Sequence, residues 1–216
     1  MRYSRRVDAP LLACAAAVEG RGLSLPAVTL GVGKAAAAAA ITAAIVELRP
    51  RWVLLFGVCG AYPAGHVAED GLDVGRVCVV GEEWFADEGV ETEAGFVSIA
   101  ALGLGSVGPF LADPGRTAEA ARLLAAPVVR GATVSACSGT DATSRAIAGR
   151  TRAVVETMEG AAVAVACARL GVPWVQVRCV SNRTGDRARG GWDLPRAVAG
   201  AQAAVHTLAR AWETTP

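Results

Sequence analysis

The sequence predicts an α/β fold of a single domain, and three observations predict it. Short apolar strands alternate with Ala-rich helices at the spacing of βαβ units. The 216 residues match the usual size of one such domain. Hydrophobic residues make up 53% of the chain and aromatic residues only 5%, a balance that suits close packing of small-residue helices on a sheet.

Residues 1–10 read as a leader without regular structure, and residues 11–216 as the domain. Arg2, Arg5 and Arg6 precede Leu11-Leu12-Ala13-Cys14, which spells a lipoprotein-like cleavage box. Asp8 and Pro10 leave no room there for the apolar stretch of about 7–15 residues that a signal peptide needs. Residues 11–16 read as the first strand and residues 27–32 as the second, which ends in Gly31-Val32-Gly33-Lys34. That turn is neither a Walker loop, since Ala35 follows the lysine, nor Gly-x-Gly-x-x-Gly. That leaves a structural turn between strand and helix as its reading. The alanines of 35–44 predict a strong helix. Lys34 and Glu47 flank that run and leave it well short of the about 20 apolar residues that cross a membrane. Pro50 ends the connection, and residues 52–58 form a buried strand that Gly57-Val58-Cys59-Gly60 closes. A loop rich in Gly, Pro and Asp is expected over 61–73, a strand over 75–81 and a turn-rich stretch over 103–115. Helices are expected at 117–125 and 141–149, with a strand at 133–137 between them. The last helix, 193–212, carries Leu194, Val198, Ala201, Val205 and Leu208 on one face.

The remaining stretch, residues 154–182, organises the chain. It reads as a strand end (154–157), a helix opened by Met158-Glu159-Gly160, and an apolar strand (174–180) broken only by Gln176 and Arg178. Gly171 and Pro173 stop the helix. Glu159 starts a helix beside a strand end, where the dipole favours a carboxylate. Ser181-Asn182 follows a buried strand, at the edge where open α/β sheets meet their ligands. Alone, Glu159 would be a first-turn charge and Asn182 a cap.

Together these residues resemble the purine nucleoside phosphorylase and nucleosidase superfamily. Members carry Met-Glu-Gly/Ala-Ala at a strand-to-helix junction and Arg-x-x-Ser-Asp/Asn after the next strand. Here these are Met158-Glu159-Gly160-Ala161-Ala162 and Arg178-Cys179-Val180-Ser181-Asn182. The likeness is greatest to the futalosine hydrolase family, on three points: the Glu-x-Met-Glu-Gly spelling at 156–160, the Asn at 182, and Trp192 ten residues on. It covers roughly Leu11 to Trp212 and is strongest after Thr133. The resemblance implies a mixed, partly barrel-like central sheet flanked by helices. It also implies hydrolysis of the N-glycosidic bond of futalosine, with release of hypoxanthine, in menaquinone biosynthesis.

The resemblance also implies the roles of individual residues. Cleavage passes through an oxocarbenium-like sugar, as in O-glycoside hydrolysis. Glu159 would accept hydrogen bonds from the ribose hydroxyls and offset the cation, and Met158 would pack on the sugar. Glu19 is the candidate general base on water; it reads equally well as a charge in a surface turn. Gly57 and Gly60 would let backbone approach ribose and base. Val58 stands where phosphorylases often carry a phosphate-holding hydroxyl, which favours hydrolysis. Asn182 suits a 6-oxo purine, its amide donating to O6 and accepting from protonated N7. Phe85 and Trp192 are candidate walls for the substrate's carboxylate-bearing aryl end.

Several functions are disfavoured. A net charge of +1 offers no field for nucleic acid. The cysteines at 14, 59, 78, 137, 167 and 179 form no C-x-x-C pair and read as reduced core thiols of a cytoplasmic protein. Isolated His66 and His206 give no metal-ligand spacing. The expected partners are a nucleoside and water, with no cofactor, metal, nucleic acid or membrane. Family members are homo-oligomers, and the same is expected here. The alternatives are a methylthioadenosine/adenosylhomocysteine nucleosidase, a purine nucleoside phosphorylase, and a nucleoside-binding protein without catalysis.

Overall fold

Strands and helices alternate through the computed structural model, which describes residues 10–66 and 71–213. The expected leader lies outside the described residues apart from Pro10, and the expected 61–73 loop lies partly outside them. The order is β1 (Leu11–Cys14), α1 (Ala17–Gly20), β2 (Ala27–Thr29), α2 (Lys34–Leu48), β3 (Val53–Ala61), β4 (Val77–Phe85), β5 (Gly89–Thr92), β6 (Gly95–Ser98), β7 (Phe110–Leu111) and α3 (Pro114–Leu124). There follow β8 (Val128–Thr133), α4 (Asp141–Thr151), β9 (Val155–Thr157), α5 (Gly160–Leu170), β10 (Trp174–Arg183) and α6 (Leu194–Glu213).

The main sheet is mixed and closes on itself. β3 pairs with β10, β10 with β4, β4 with β8, β8 with β9, and β9 returns to β3. This five-stranded ring is the partly barrel-like sheet expected from the resemblance. β1 and β2 extend it beyond β3, and β7 extends it from β4. β5 and β6 form a separate hairpin.

One edge of β3 is divided. β10 runs along its whole length on the other edge. On the divided edge, β1 pairs in parallel with 53–55 and β9 pairs antiparallel with 60–61. Among the described residues, 56–59 have no strand beside them there. Backbone groups in that gap need other partners, and the candidate site supplies them.

The core follows the period-2 alternation of the strands. Val53 and Leu55 of β3 pack with Ile41 and Ile45 of α2 and Val163 and Cys167 of α5. Leu54 and Phe56 point the other way, to Ala204, Val205 and Leu208 of α6 and Ala120 of α3. Cys59, Cys78, Val80 and Val180 pack on one another across the ring. α4 covers a third region, with Ile147 and Ala148 against Ala132, Val134 and Tyr62.

Helix ends carry the expected signals. Asp113 caps α3 by accepting from Arg116 N–H, with Pro114 in the first turn. Thr140 caps α4 through Thr143 N–H. Asp193, expected inside the last helix, stands before it and accepts from Arg196 N–H at 3.1 Å. Gly171, at φ 65°, ends α5 in the left-handed conformation.

Several expectations shift. The strand expected over 27–32 ends at Thr29, and the one expected to close at 57–60 runs through those residues to Ala61. The strand expected at 133–137 is β8, at 128–133, and 134–139 is loop. Arg130 and Gly131 interrupt the apolar pattern that would have located β8. Gly131 is needed there because a side chain would meet Glu83 Oε1 at 2.6 Å. The strand expected to close at Gly81 runs on to Phe85, and the hairpin at 89–98 follows it. The strand expected to end at Val180 continues to Arg183 through a bulge, where Val180 pairs with Cys59 and Asn182 with Gly60.

Candidate active site

The functional side chains come from four chain segments. β1 delivers α1, whose Glu19 is 3% exposed. Glu19 Oε2 accepts from Ala16 N–H at 2.9 Å, which closes the start of this short helix as a capping box does. Its Oε1 accepts from Val58 N–H at 2.8 Å. That amide belongs to the gap on β3, so a carboxylate takes the place of a missing strand. Glu19 is therefore a buried, bonded carboxylate and not a charge in a surface turn.

Gly57 makes this contact possible. A Cβ there would lie 2.3 Å from Glu19 Oε1 and 2.9 Å from Arg178 Nη1. The expectation that Gly57 brings backbone to the substrate is corrected: it lies outside the cavity lining, and its missing side chain makes room for protein groups. Gly60 does line the cavity, and a side chain on it would meet Thr184 and Asn182.

Glu159 is the residue before the first turn of α5 and is 4% exposed. It makes no cap bond to its own helix. Its Oε1 accepts from Gly33 N–H at 2.9 Å, and its Oε2 lies 3.9 Å from Arg178 Nη2. Burial raises its pKa above the ordinary value of 4.5, while the Arg178 guanidinium and the Gly33 amide oppose that rise. The Gly31-x-Gly33 turn therefore has a second role that the sequence did not suggest. Gly33, at φ 95°, starts α2 and offers its amide to Glu159.

Arg178 lies beneath this group and is 1% exposed. Its Nη1 donates to the Val58 carbonyl at 3.3 Å. Among the described residues its Nε and Nη2 have no hydrogen-bond partner. A buried guanidinium so placed is costly unless carboxylates or a ligand answer it. The sequence marked Arg178 only as part of a motif.

The bulge in β10 turns Asn182 to the cavity. Ser181 Oγ stands 2.8 Å from Asn182 Oδ1 and 3.1 Å from the Cys59 carbonyl, with one hydrogen to give to either. Asn182 Nδ2 donates to the Arg183 carbonyl at 3.1 Å. The amide so held keeps one further lone pair and one further hydrogen for a ligand.

These groups surround a cavity of about 560 Å³. Glu19, Val58, Gly60, Met158, Glu159, Asn182 and Trp192 all line it. Phe85 does not, which corrects its expected role as a wall. Its ring packs edge-on against Phe110 with centroids 5.4 Å apart, and Lys34 Nζ lies 5.2 Å from its centroid. The continuation of β4 carries it away from the cavity.

Sequence reasoning missed Glu156, which also lines the cavity. It accepts from Ser138 N–H, Ser138 Oγ and Tyr62 Oη, so it ties the 134–139 loop to β9. Burial raises its pKa above the ordinary value. The Glu-x-Met-Glu spelling was the one available signal. Five cysteines are buried, and Cys137 is exposed on that loop. Among the described residues no helix is long and apolar enough to cross a membrane.

Comparison with known proteins gives the family and agrees with the fold. Residues 21–214 match the phosphorylase superfamily. A futalosine hydrolase of Thermus thermophilus is 37% identical over 181 residues, covering 82% of this chain and 78% of that protein. The fold matches the native futalosine hydrolase of Helicobacter pylori strain 26695 at a TM-score of 0.77 and 16% identity, over 93% of this chain and 96% of that one. It also matches the 5'-methylthioadenosine/S-adenosylhomocysteine nucleosidase of Colwellia psychrerythraea 34H, solved with adenine, at a TM-score of 0.77 and 20% identity, over 92% and 93% of the two chains. The chain belongs to the phosphorylase superfamily and, within it, to the futalosine hydrolase family.

Proposed function

We propose that the protein hydrolyses the N-ribosyl bond of futalosine and releases hypoxanthine and dehypoxanthine futalosine, as a step of menaquinone biosynthesis. We also propose that it works in the cytoplasm as a homo-oligomer. The observation that carries the reading is the convergence of Glu19, Glu159 and Asn182 on one cavity from helices and a strand far apart in sequence.

In this reading the bond from the ribose carbon to the purine nitrogen breaks, and its electron pair leaves with the base. Glu159, ionised, hydrogen-bonds the ribose hydroxyls and offsets the positive charge that grows on the sugar. Arg178 beneath it favours that ionised form. Glu19 takes a proton from the attacking water. The Ala16 and Val58 amides fix its carboxylate, so it cannot swing away. Water adds to the ribose carbon, and the purine takes a proton at N7 from solvent in the open cavity as it departs, while Glu19 returns its proton to solvent, so the protons balance. Asn182 answers that purine with its remaining hydrogen on O6 and its remaining lone pair on the N7 proton. Val58 presents an apolar side chain where a phosphate would need a hydroxyl, which favours water as the nucleophile.

The test is base release from futalosine, inosine and methylthioadenosine, with and without phosphate. Hypoxanthine should appear from futalosine at a rate that phosphate does not change. A requirement for phosphate would make the protein a phosphorylase. Preference for methylthioadenosine would make it the other nucleosidase, and binding without cleavage would leave a nucleoside-binding protein.

A further inference from the structure

The proposed substrate carries a carboxylate on its aryl end, and it enters a cavity already rich in acid. Glu19, Glu156, Glu159 and Asp186 line that cavity, against Arg183 and Arg187. An anionic ligand needs a cation that those carboxylates have not already claimed. Arg183 is claimed from outside the cavity, its Nη2 standing 2.6 Å from Asp73 Oδ1. Arg187 has no carboxylate within ion-pair distance among the described residues. Asp186, its neighbour, accepts from Ala188 N–H and lies 4.0 Å from Arg189 Nε. Arg189 is itself bound to Asp141.

The surroundings of Arg187 also suit an aryl group. It lies in the segment that joins β10 to α6, within a single 3₁₀ turn, Arg187–Arg189. Its amide donates to the Gly139 carbonyl at 3.2 Å, which holds it beside the cavity-lining loop of Cys137 and Ser138. Its guanidinium carbon stands 5.5 Å from the centroid of the Trp192 ring. Trp192 lines the cavity and is 59% exposed, so its ring offers open apolar surface there. A planar cation beside an uncovered aromatic face matches a ring that bears a carboxylate: the ring stacks on the indole and the carboxylate meets the guanidinium fork.

We infer that Arg187 reads the carboxylate of the substrate while Trp192 stacks on its aryl ring. The inference rests on the futalosine reading of the same site. It adds a source of specificity at the end of the substrate remote from the bond that breaks.

The experiment compares futalosine with its methyl ester, which keeps the ring and loses the charge. The parent protein should favour the acid in kcat/KM by roughly tenfold, the lower end for a hydrogen bond to a charged group because this one is exposed to solvent. Arg187→Met should bring that ratio close to one, mostly through a higher KM for the acid. Arg187→Lys, which keeps charge without the fork, should restore part of it. The parent ratio should also shrink as salt rises. A thermal melt of each variant guards against misfolding, and a residue exposed on a turn should leave it unchanged.

Equal use of acid and ester by the parent protein would overturn the inference and leave futalosine hydrolysis standing. So would a parallel fall of both substrates in Arg187→Met, since a structural role lowers both alike. Failure of the parent protein to cleave futalosine would remove the functional reading and this inference with it.

Discussion

Replacing Gly57 by alanine tests the central contact of the site without replacing any group proposed to act on the substrate. The new Cβ would lie 2.3 Å from Glu19 Oε1, where ordinary contact begins near 3.4 Å. It would also lie 2.9 Å from Arg178 Nη1 and from Glu19 Cδ. Arg178 is buried and cannot retreat far, so the Glu19 carboxylate must move by about 1 Å, a displacement that can cost about 10² in rate. The move breaks its bond with Val58 N–H, and that amide has no strand to take it up. A hydrogen bond to a charged group contributes about 1.5–3 kcal/mol. The backbone adds to the cost, because Gly57 holds φ +152°, a region L-residues rarely adopt, and such strain costs of order 1–3 kcal/mol. Gly57→Ala should therefore melt measurably lower and hydrolyse futalosine about 10²-fold more slowly. Affinity for free hypoxanthine should change little, since Gly57 does not line the cavity. The assays are a thermal melt, steady-state base release and calorimetric titration with hypoxanthine. A variant that melts with the parent and turns over within threefold of it would refute the reasoning that Gly57 makes room for Glu19.

The remaining predictions concern the groups inside the cavity. Glu159→Gln should keep the fold, checked by circular dichroism, and lose about 10²–10³ in kcat, the usual cost of one well-placed electrostatic group. Because burial raises the Glu159 pKa, and the ionised form is the active one, the rate should fall as pH drops, with the acid midpoint above the free-carboxylate value of 4.5. A pH–rate profile with its midpoint at or below 4.5 would contradict this. Glu19→Gln should abolish hydrolysis while a substrate analogue still binds, and rates within a few-fold of the parent would mean that another group activates water. Asn182→Asp should narrow or reverse the preference for futalosine over its 6-amino counterpart, read as the ratio of the two kcat/KM values. An amide complements a 6-oxo purine, and mispaired buried groups reject the wrong base strongly.

What could be read in the sequence was what is local. The run from β9 through α5 to β10 shows its strands and helix through composition, and Glu159 and Asn182 stand at junctions that neighbours a few residues away define. The alanines of α2 announce a helix at any site in the fold. Closure of the ring was legible only through the family resemblance, because β10 finds β3 and β4 through pairings about a hundred residues apart. The bond from Gly33 to Glu159 spans 126 residues, and a Gly-x-Gly turn carries no sign of the carboxylate it will meet. Phe85 was misplaced because Glu82 and Glu83 looked like the end of a strand. Glu83 is instead wholly buried, held by Gln176, Thr133 and Thr157, so β4 passes through it. Glu156 escaped notice because its role lies in the donors of a distant loop and tyrosine.

The gap on the edge of β3 also makes the protein report on itself. Most amides of a sheet resist exchange with solvent because a neighbouring strand holds them, and they open only when the strands part. The Val58 amide is held by a side chain instead. Its exchange rate and its nitrogen resonance should therefore follow the position of the Glu19 carboxylate, while its neighbours on the β10 side follow the opening of the sheet. Exchange watched by heteronuclear NMR would find, at this amide and at the Ala16 amide, a probe of how firmly Glu19 is held that requires no substrate.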